Sequence, residues 1–535
     1  MGQNIPGELP AVVPNVDELR DRFFNTTTDL APVKFGTSGH RGTLGVKFCQ
    51  KHVLAVAQAV AEVRASAGYT GSILIGGDTR LMSVKTAELC AEVLAAHGVK
   101  VILSRLPLAT PVFSYLIIND PTISDGIIGT ASHNPPEHMG IKYNPSNGGP
   151  ASPEVTDGVQ RIANSWLDRT DEIPRLCLDE AKSKGLLVDD QDLFTPYLDA
   201  LEQKIDFDAI KASGLKLKIH PLGGASLPVF QCLIKRGMDF ITIVDDTLDP
   251  TFRFVPVDHD GEIRMDPSSP YPMKPLLELV SSDTFELAGG CDPDADRFGM
   301  ATGKSGLINP NHALCIAADY LFKKNEGWSQ TLTVGRTIGT THLLDRITAK
   351  HGCPEIREQD VGFKHFVAGL VADEYALVGE ESAGLSMRDW TTEKDGIAAV
   401  MLFAEITATS RKDLGDLYLE IAAAVDPHGA PAYKRTDRPA DAETKASLKA
   451  FSAAGLMATI KGAGGKVADL EVTKIRDTDG IKIYMKDDTS DDIVAWALAR
   501  PSGTEDIVKL YTESFLGEEH RAKVEVDAAK LFGLS

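Results

Sequence analysis

The stretch Gly126-Ile127-Ile128-Gly129-Thr130-Ala131-Ser132-His133-Asn134-Pro135-Pro136 runs a short apolar strand into a polar loop closed by two prolines. Neither proline continues a ladder or a helix interior, so the loop is expected to present Ser132 rather than bury it. A hydroxyl beside an imidazole at the carboxyl end of a strand suits a nucleophile or a phosphate carrier. The plain alternative is a hydrogen-bonded turn made by Ser132 and Asn134.

The elements around this loop form a unit that recurs. In the first copy, the strand Ser72 to Gly76 leads to a helix from Met82 to Ala96, with Val84, Ala87, Ala91 and Leu94 on one face, Ser83 as N-cap and Gly98 as stop. The strand Val99 to Leu103, a helix from Pro111 to Ile118 and the strand Gly126 to Gly129 follow, and Ile141 to Tyr143 leaves the loop. The second copy uses strands at 215–219, 240–244 and 286–288, and opens into Gly289-Gly290-Cys291-Asp292-Pro293-Asp294-Ala295-Asp296-Arg297 before an exit strand at 298–301. The third uses strands at 331–334, 355–357 and 375–378, with helices at 341–350 and 363–371, and ends in Gly379-Glu380-Glu381-Ser382-Ala383-Gly384. Alternating strands and helices predict mostly parallel sheets covered on both faces, with ligands beyond the carboxyl ends of the strands. Each copy puts its glycine-bearing polar loop there, which predicts one composite cleft.

After an apolar helix at 397–407 the pattern changes at Asp426-Pro427-His428-Gly429-Ala430-Pro431, a predicted hinge. Strands at 472–476, 481–485 and 494–499 and an amphipathic stretch at 518–532 read as a smaller α+β domain. At 535 residues the chain needs several cores. Its 43% hydrophobic content fits a globular protein, and a formal charge of −21 with no basic block excludes non-specific nucleic-acid binding. With no apolar run of membrane-spanning length and no basic segment followed by an apolar core near Met1, a chain neither secreted nor membrane-inserted is expected. The seven scattered cysteines form no CxxC pair, so a reducing, cytoplasmic setting is expected.

Each loop has its own chemistry. Asp292, Asp294 and Asp296 alternate, which in an extended loop places three carboxylates on one side, and Mg2+ is the natural occupant of such hard oxygens. An EF-hand is excluded, because Arg297 and Gly303 stand where its glycine and glutamate are needed. A phosphorylated Ser132 would complete the metal shell. Glu380 and Ser382 supply an acceptor and a donor for two sugar hydroxyls. Lys394, beside the N-cap Asp395, suits proton transfer or a phosphate contact. The glycine-rich loop Phe35-Gly36-Thr37-Ser38-Gly39-His40-Arg41-Gly42 offers the Arg41 fork to phosphate, and Arg500-Pro501-Ser502-Gly503-Thr504-Glu505 offers a second fork with hydroxyls and backbone N–H groups.

TASHNPPEHMGIKYN, GGCDPDADRFG, GEESAG with KDG, and RPSGTED, preceded by FGTSGHRG, resemble the α-D-phosphohexomutase superfamily along nearly the whole chain, most closely its bacterial branch specific for α-D-glucose phosphates. The resemblance implies three similar mixed-sheet α/β domains and a smaller C-terminal α+β domain around one cleft. The corresponding bounds are 1–206 with the phosphoserine loop, 207–310 with the metal loop, 311–425 with the sugar loop, and 426–535 with the phosphate anchor. It implies Mg2+ on Ser132, Asp292, Asp294 and Asp296, and a resting enzyme phosphorylated on Ser132. Glucose 1,6-bisphosphate is implied as intermediate and activator between α-D-glucose 1-phosphate and glucose 6-phosphate. His133, Lys142, Lys394 and Arg41 are the implied catalytic groups. Thr37, Ser38, Arg297, Gly362, Glu380, Ser382, Arg500, Ser502, Gly503, Thr504 and Lys509 are the implied substrate contacts, in a monomer or homodimer that binds sugar phosphates, not nucleic acid or membrane. Glu381 stands where mannose-active members usually carry methionine, which favours glucose. A serine-dependent metallophosphatase shares Ser132 and the metal but needs no second phosphate anchor, and a catalytically silent relative need not keep all four loops.

Overall fold

The computed structural model describes residues 4–36, 38–487, 492–502 and 506–534. The chain forms two compact units, Met1–Ala313 with Gly362–Gly415, and Leu314–Val361 with Asp416–Ser535. Thr37, Gly503 and Thr504 lie outside the described residues.

In the first unit a six-stranded sheet runs in the order His40–Thr43, His138–Asn144, Ile123–Gly129, Ser72–Gly77, Val101–Leu103, Leu187–Val188. The last four strands are parallel, and the first two are antiparallel to their neighbours. Ile73, Leu74 and Ile75 are wholly buried, as a strand covered on both faces requires. The helix Thr110–Asn119 lies close over the sheet because position 126 has no side chain; a Cβ there would stand 2.3 Å from the Phe113 ring. The second sheet runs Gly306–Leu307, Phe298–Thr302, Glu286–Cys291, Lys216–His220, Ile241–Ile243. In both sheets the sequence of exit, third, first and second strand is the same, so the predicted repeat is real at the level of topology. The hairpin of Tyr375–Glu380 with Gly384–Met387 carries the third copy's last strands. It leads to the buried helix Gly396–Ser410, whose N-cap Asp395 accepts the Ala398 N–H at 2.8 Å, as expected.

Several local expectations change. The helix expected from Met82 is Ser83–Ala96 with Met82 in the cap position; the Ser83 hydroxyl instead donates to Asp78 and to the Gly129 carbonyl. The stretch expected as one helix at 363–371 is a short 3-10 turn, Phe363–His365, followed by Val367–Val371.

In the second unit, Thr333–Thr337 and Arg357–Gln359 pair in parallel. The C-terminal sheet is antiparallel and six-stranded, in the order Ala432–Pro439, Ile507–Ser514, Ala495–Pro501, Ile481–Lys486, Leu470–Arg476, Lys466–Val467. Three of these strands escaped the sequence reading. Ala432–Pro439 is a charged edge strand, with Lys434, Arg435 and Arg438 on a strand that buries none of its side chains fully, and charge is how an edge avoids further pairing. The helices Ala442–Ala450, Ala453–Gly462 and Glu518–Leu531 contribute Leu448, Leu456, Ile460 and Val524 to the core on one face of this sheet. The predicted hinge begins on a fixed residue: Asp426 is buried, pairs with Arg346 and accepts the His428 N–H at 2.7 Å.

An ionic cluster ties Arg357–Gln359 to the C-terminal sheet within this unit. Glu358 accepts from Arg336 at 2.6 Å, Lys482 at 2.8 Å and Arg476 at 3.2 Å, and from the Tyr484 hydroxyl. Arg336 and Lys482 are buried, so removal of the Glu358 charge leaves the Lys482 ammonium without its carboxylate partner and leaves Arg336 with Asp345 alone, at 3.0 Å. Glu358→Gln is expected to cost the second unit about 3–5 kcal/mol, read by chemical denaturation. Burial opposes ionisation of Glu358, but Arg336 and Lys482 outweigh it and hold the carboxyl below its ordinary value of 4.5. The folded form therefore binds fewer protons than the unfolded form in acid, and the stabilisation is complete above that value and lost as the pH falls below it. The gap between wild type and Glu358→Gln should shrink from pH 6 to pH 3; an unchanged gap would contradict the role given to the pair.

Candidate active site

Within the first unit, the loops at the carboxyl ends of Ile123–Gly129 and Glu286–Cys291 meet at Ser132. Its hydroxyl donates to Asp292 Oδ2 at 2.6 Å and lies 3.3 Å from His133 Nδ1. Ser132 is 3% exposed, which corrects the expectation that the prolines would hold it out to solvent: the acidic loop closes over it. The acids also do not lie along an extended loop. Asp292-Pro293-Asp294-Ala295-Asp296 is a tight turn, with the Ala295 N–H on the Asp292 carbonyl at 2.8 Å and Ala295 at φ 59°. The turn brings one oxygen of each of Asp292, Asp294 and Asp296 within 4.8 Å of the others, all three residues being buried.

Neighbouring elements lock this turn. Thr110 donates its hydroxyl to Asp294 Oδ2 at 3.0 Å and its N–H to the Asp294 carbonyl at 2.8 Å. The Gly396 N–H meets the Ala295 carbonyl at 2.9 Å, and Arg297 N–H donates to Asp292 Oδ1 at 3.0 Å. Cations offset the crowded charge: Lys142 Nζ lies 2.7 Å from Asp294 and 3.0 Å from Asp296, and Lys394 Nζ 3.1 Å from Asp296. Burial, then Asp294 and Asp296, push the Asp292 carboxyl well above its ordinary range. For Asp296 burial is overcome by Lys142, Lys394 and Arg297, which hold it far below that range. Lys142 and Lys394 are correspondingly held as cations, the neighbouring carboxylates outweighing burial.

The remaining residues of the sequence reading fall as follows. His133 Nε2 is 4.0 Å from Asp266, which also receives Arg297 at 3.5 Å. Burial and then Arg297 keep the His133 imidazole well below its ordinary value. Arg41 is half-buried, 3.4 Å from the Ser38 hydroxyl, and is attracted by Asp294, Asp296 and Asp292. Glu380 is buried at the end of its strand, and Ser382 is half-buried in the turn that follows. Glu380 and Lys394 converge over Gly384, where a Cβ would come within 2.9 Å of Glu380 Oε2 and 2.2 Å of the Lys394 stem. Gly362, at φ 125°, opens the turn carrying Phe363, whose ring centre is 5.4 Å from Lys394 Nζ. In the second unit, Arg500 and Lys509 are cross-strand neighbours, Arg500 Nε is 2.9 Å from both Asp479 oxygens, and Ser502 N–H meets the Ile507 carbonyl at 3.0 Å. His220 is buried and its Nδ1 accepts the Leu222 N–H at 3.1 Å, a structural role.

Sequence reading missed Asp78, Arg80, Thr110 and Asp266. Gly77-Asp78-Thr79-Arg80 at the carboxyl end of a parallel strand was a usable signal for the first two; Asp266 had none.

A hydroxyl seated on clustered acids and ringed by lysine and arginine suits phosphoryl transfer, in which charge on the moving group must be met by fixed groups and cations. The comparisons give this class its family: the chain belongs to the phosphoglucomutase/phosphomannomutase family, whose alpha/beta/alpha domains I, II and III match residues 32–169, 195–306 and 309–424. It is 39% identical to the phosphoglucomutase of Komagataeibacter xylinus over 96% of this chain and 94% of that one. It is 30% identical to phosphoglucomutase 2 of Saccharomyces cerevisiae over 71% of this chain and 69% of that one. Two solved structures share the fold. A phosphoglucomutase/phosphomannomutase family protein of Burkholderia thailandensis has a TM-score of 0.70 at 19% identity, covering 94% of this chain and 97% of that one. The exocytosis-sensitive phosphoprotein pp63/parafusin, a phosphoglucomutase of Paramecium, has a TM-score of 0.73 at 19% identity, covering 95% and 96%. Among the described residues, no helix is long and apolar enough to cross a membrane.

Proposed function

We propose that this chain is a phosphoglucomutase, an isomerase that interconverts α-D-glucose 1-phosphate and glucose 6-phosphate through phosphoserine 132 and glucose 1,6-bisphosphate. The observation that carries this is the Ser132 hydroxyl 2.6 Å from Asp292 within the acidic turn. A cation fits there on the structure's own terms: among the described residues, Asp294 Oδ1 and Asp296 Oδ1 are buried without a hydrogen-bond partner. Asp292, Asp294, Asp296 and the Ser132 phosphate would hold Mg2+, which when bound supplies charge stabilisation for the transferring phosphoryl group.

The chain's residues do the rest. A sugar hydroxyl oxygen bonds to phosphorus while the bond from phosphorus to Ser132 Oγ breaks, the sugar loses its proton and Ser132 Oγ regains one. The bisphosphate turns over, and its other phosphate returns to Ser132. Lys142, Lys394, Arg297 and Arg41 meet charge around the serine and the reacting oxygens, and His133, Lys142 and Lys394 are the groups for proton transfer. Thr37, Ser38, Gly362, Glu380 and Ser382 contact the sugar phosphate. Arg500, Ser502, Gly503, Thr504 and Lys509 bind the phosphate that stays on the sugar. The same reading takes the enzyme as cytoplasmic, a monomer or homodimer, with domain bounds at 206/207, 310/311 and 425/426.

A coupled assay with glucose 1-phosphate, Mg2+ and a trace of bisphosphate should yield glucose 6-phosphate without net phosphate release. Stoichiometric inorganic phosphate would instead make the chain a phosphatase.

A further inference from the structure

Ser132 stands at φ 52°, in the left-handed region that a serine occupies only when its surroundings hold it there. Both of its peptide groups are held. Its N–H donates to the Thr130 hydroxyl at 2.9 Å, and its carbonyl accepts from Arg80 Nη2. The same Arg80 nitrogen reaches the Asn134 carbonyl, and Nη1 reaches the carbonyls of Pro135 at 2.8 Å and His138 at 3.1 Å. One guanidinium thus gathers four carbonyls of the serine loop, a task for which its fixed fork is suited and a lysine ammonium is not.

Arg80 is itself fixed. It is 3% exposed, its Nε lies 3.4 Å from Asp78 Oδ2, and the Phe252 ring centre is 5.6 Å from its Cζ. Asp78 accepts the Arg80 N–H at 2.9 Å, the Ser83 hydroxyl, and the Thr130 hydroxyl at 2.6 Å. The chain of contacts from Asp78 through Thr130 to the Ser132 N–H, and through Arg80 to the Ser132 carbonyl, closes a loop around the serine peptide. It anchors the Ser132 loop to the strand Ser72–Gly77, which pairs in parallel with the strand that leads into it.

We propose that Arg80, held by Asp78, is a positioning residue for phosphoryl transfer, gripping the backbone of the Ser132 loop so that Ser132 Oγ faces the acidic turn. This rests on the phosphoglucomutase reading and adds to it a group that touches neither sugar nor metal. Misplacement of a reacting oxygen by about 1 Å lowers the rate by roughly 10²-fold without loosening the substrate.

The test compares wild type, Arg80→Lys and Thr130→Val in three measurements: kcat and KM for glucose 1-phosphate, the rate at which glucose 1,6-bisphosphate phosphorylates Ser132 by mass spectrometry, and the thermal midpoint. Arg80→Lys is expected to lose about 10²-fold in kcat and in Ser132 phosphorylation, with KM within about threefold and a cooperative melt retained. Thr130→Val, which keeps shape but removes both hydroxyl contacts, is expected to show the same split at about 10-fold. Arg80→Lys keeping kcat within threefold of wild type overturns the proposal, as does a loss carried by KM. If Arg80→Lys does not fold, Thr130→Val decides by the same criteria. A wild-type chain with no mutase turnover would overturn the functional reading beneath it, whereas an active wild type matched by the variants overturns the clamp alone.

Discussion

Ser132→Ala is expected to bind glucose 1-phosphate about as well as wild type and to lose turnover by about 10⁴-fold or more, because the only atom removed is the one that the proposed cycle bonds to phosphorus. The side chain is small and its hydroxyl donates to a single carboxylate, Asp292, at 2.6 Å. Alanine tolerates φ 52° about as poorly as serine does, so the backbone strain of the loop is unchanged. The thermal midpoint should move little. The clean form of the result is therefore a folded protein with sugar phosphate affinity and no carrier. A drop in turnover of less than tenfold would place the phosphate on another group.

Asp292→Asn is expected to lower kcat by about 10²- to 10³-fold at saturating substrate and to weaken Mg2+ or Mn2+ binding, while leaving the metal-free protein at least as stable as wild type. The two effects have opposite signs for one reason. The three buried carboxylates lie within 4.8 Å of one another; Lys142 and Lys394 offset the charge of Asp296, and the cost falls on Asp292, whose ionised form is disfavoured by burial and by its two acidic neighbours. An amide removes that cost and with it the charge that a hard cation needs. Direct titration with Mn2+, followed by electron paramagnetic resonance, separates lost affinity from lost chemistry. Chelation of wild type should mimic the variant and be reversed by Mg2+. A variant that binds Mn2+ as tightly as wild type would remove Asp292 from the ligand set.

Much of this architecture could be read from the sequence, because buried parallel strands write themselves as short apolar runs. Ile73 to Ile75 and Ile127 to Ile128 are of this kind in the first copy, and similar runs in the later copies mark the recurring unit, whose strand order only the structure shows. The loops were legible by composition: three alternating aspartates, a serine beside a histidine, and glycines beside both. What composition could not give was how they close. Pro293 and Ala295 make the acidic segment a turn, and that turn buries the serine that its own prolines seemed to expose. Asp78 and Arg80 were not singled out, because their part shows only once the Ser72–Gly77 strand is set beside the strand that ends in the serine loop. The edge strand Ala432–Pro439 was hidden for the opposite reason, since its charged pairs Lys434-Arg435 and Asp437-Arg438 guard an edge and leave no core-facing stripe.

The most direct measurement is rapid-quench transfer from the phosphorylated protein. The chain is loaded with labelled phosphate from glucose 1,6-bisphosphate, mixed with unlabelled glucose 1-phosphate and Mg2+, quenched on the millisecond scale and mapped by peptide. The label should sit on the peptide carrying Ser132 and leave for the sugar at least as fast as steady-state turnover. Label on any other residue, or departure slower than turnover, would contradict the account.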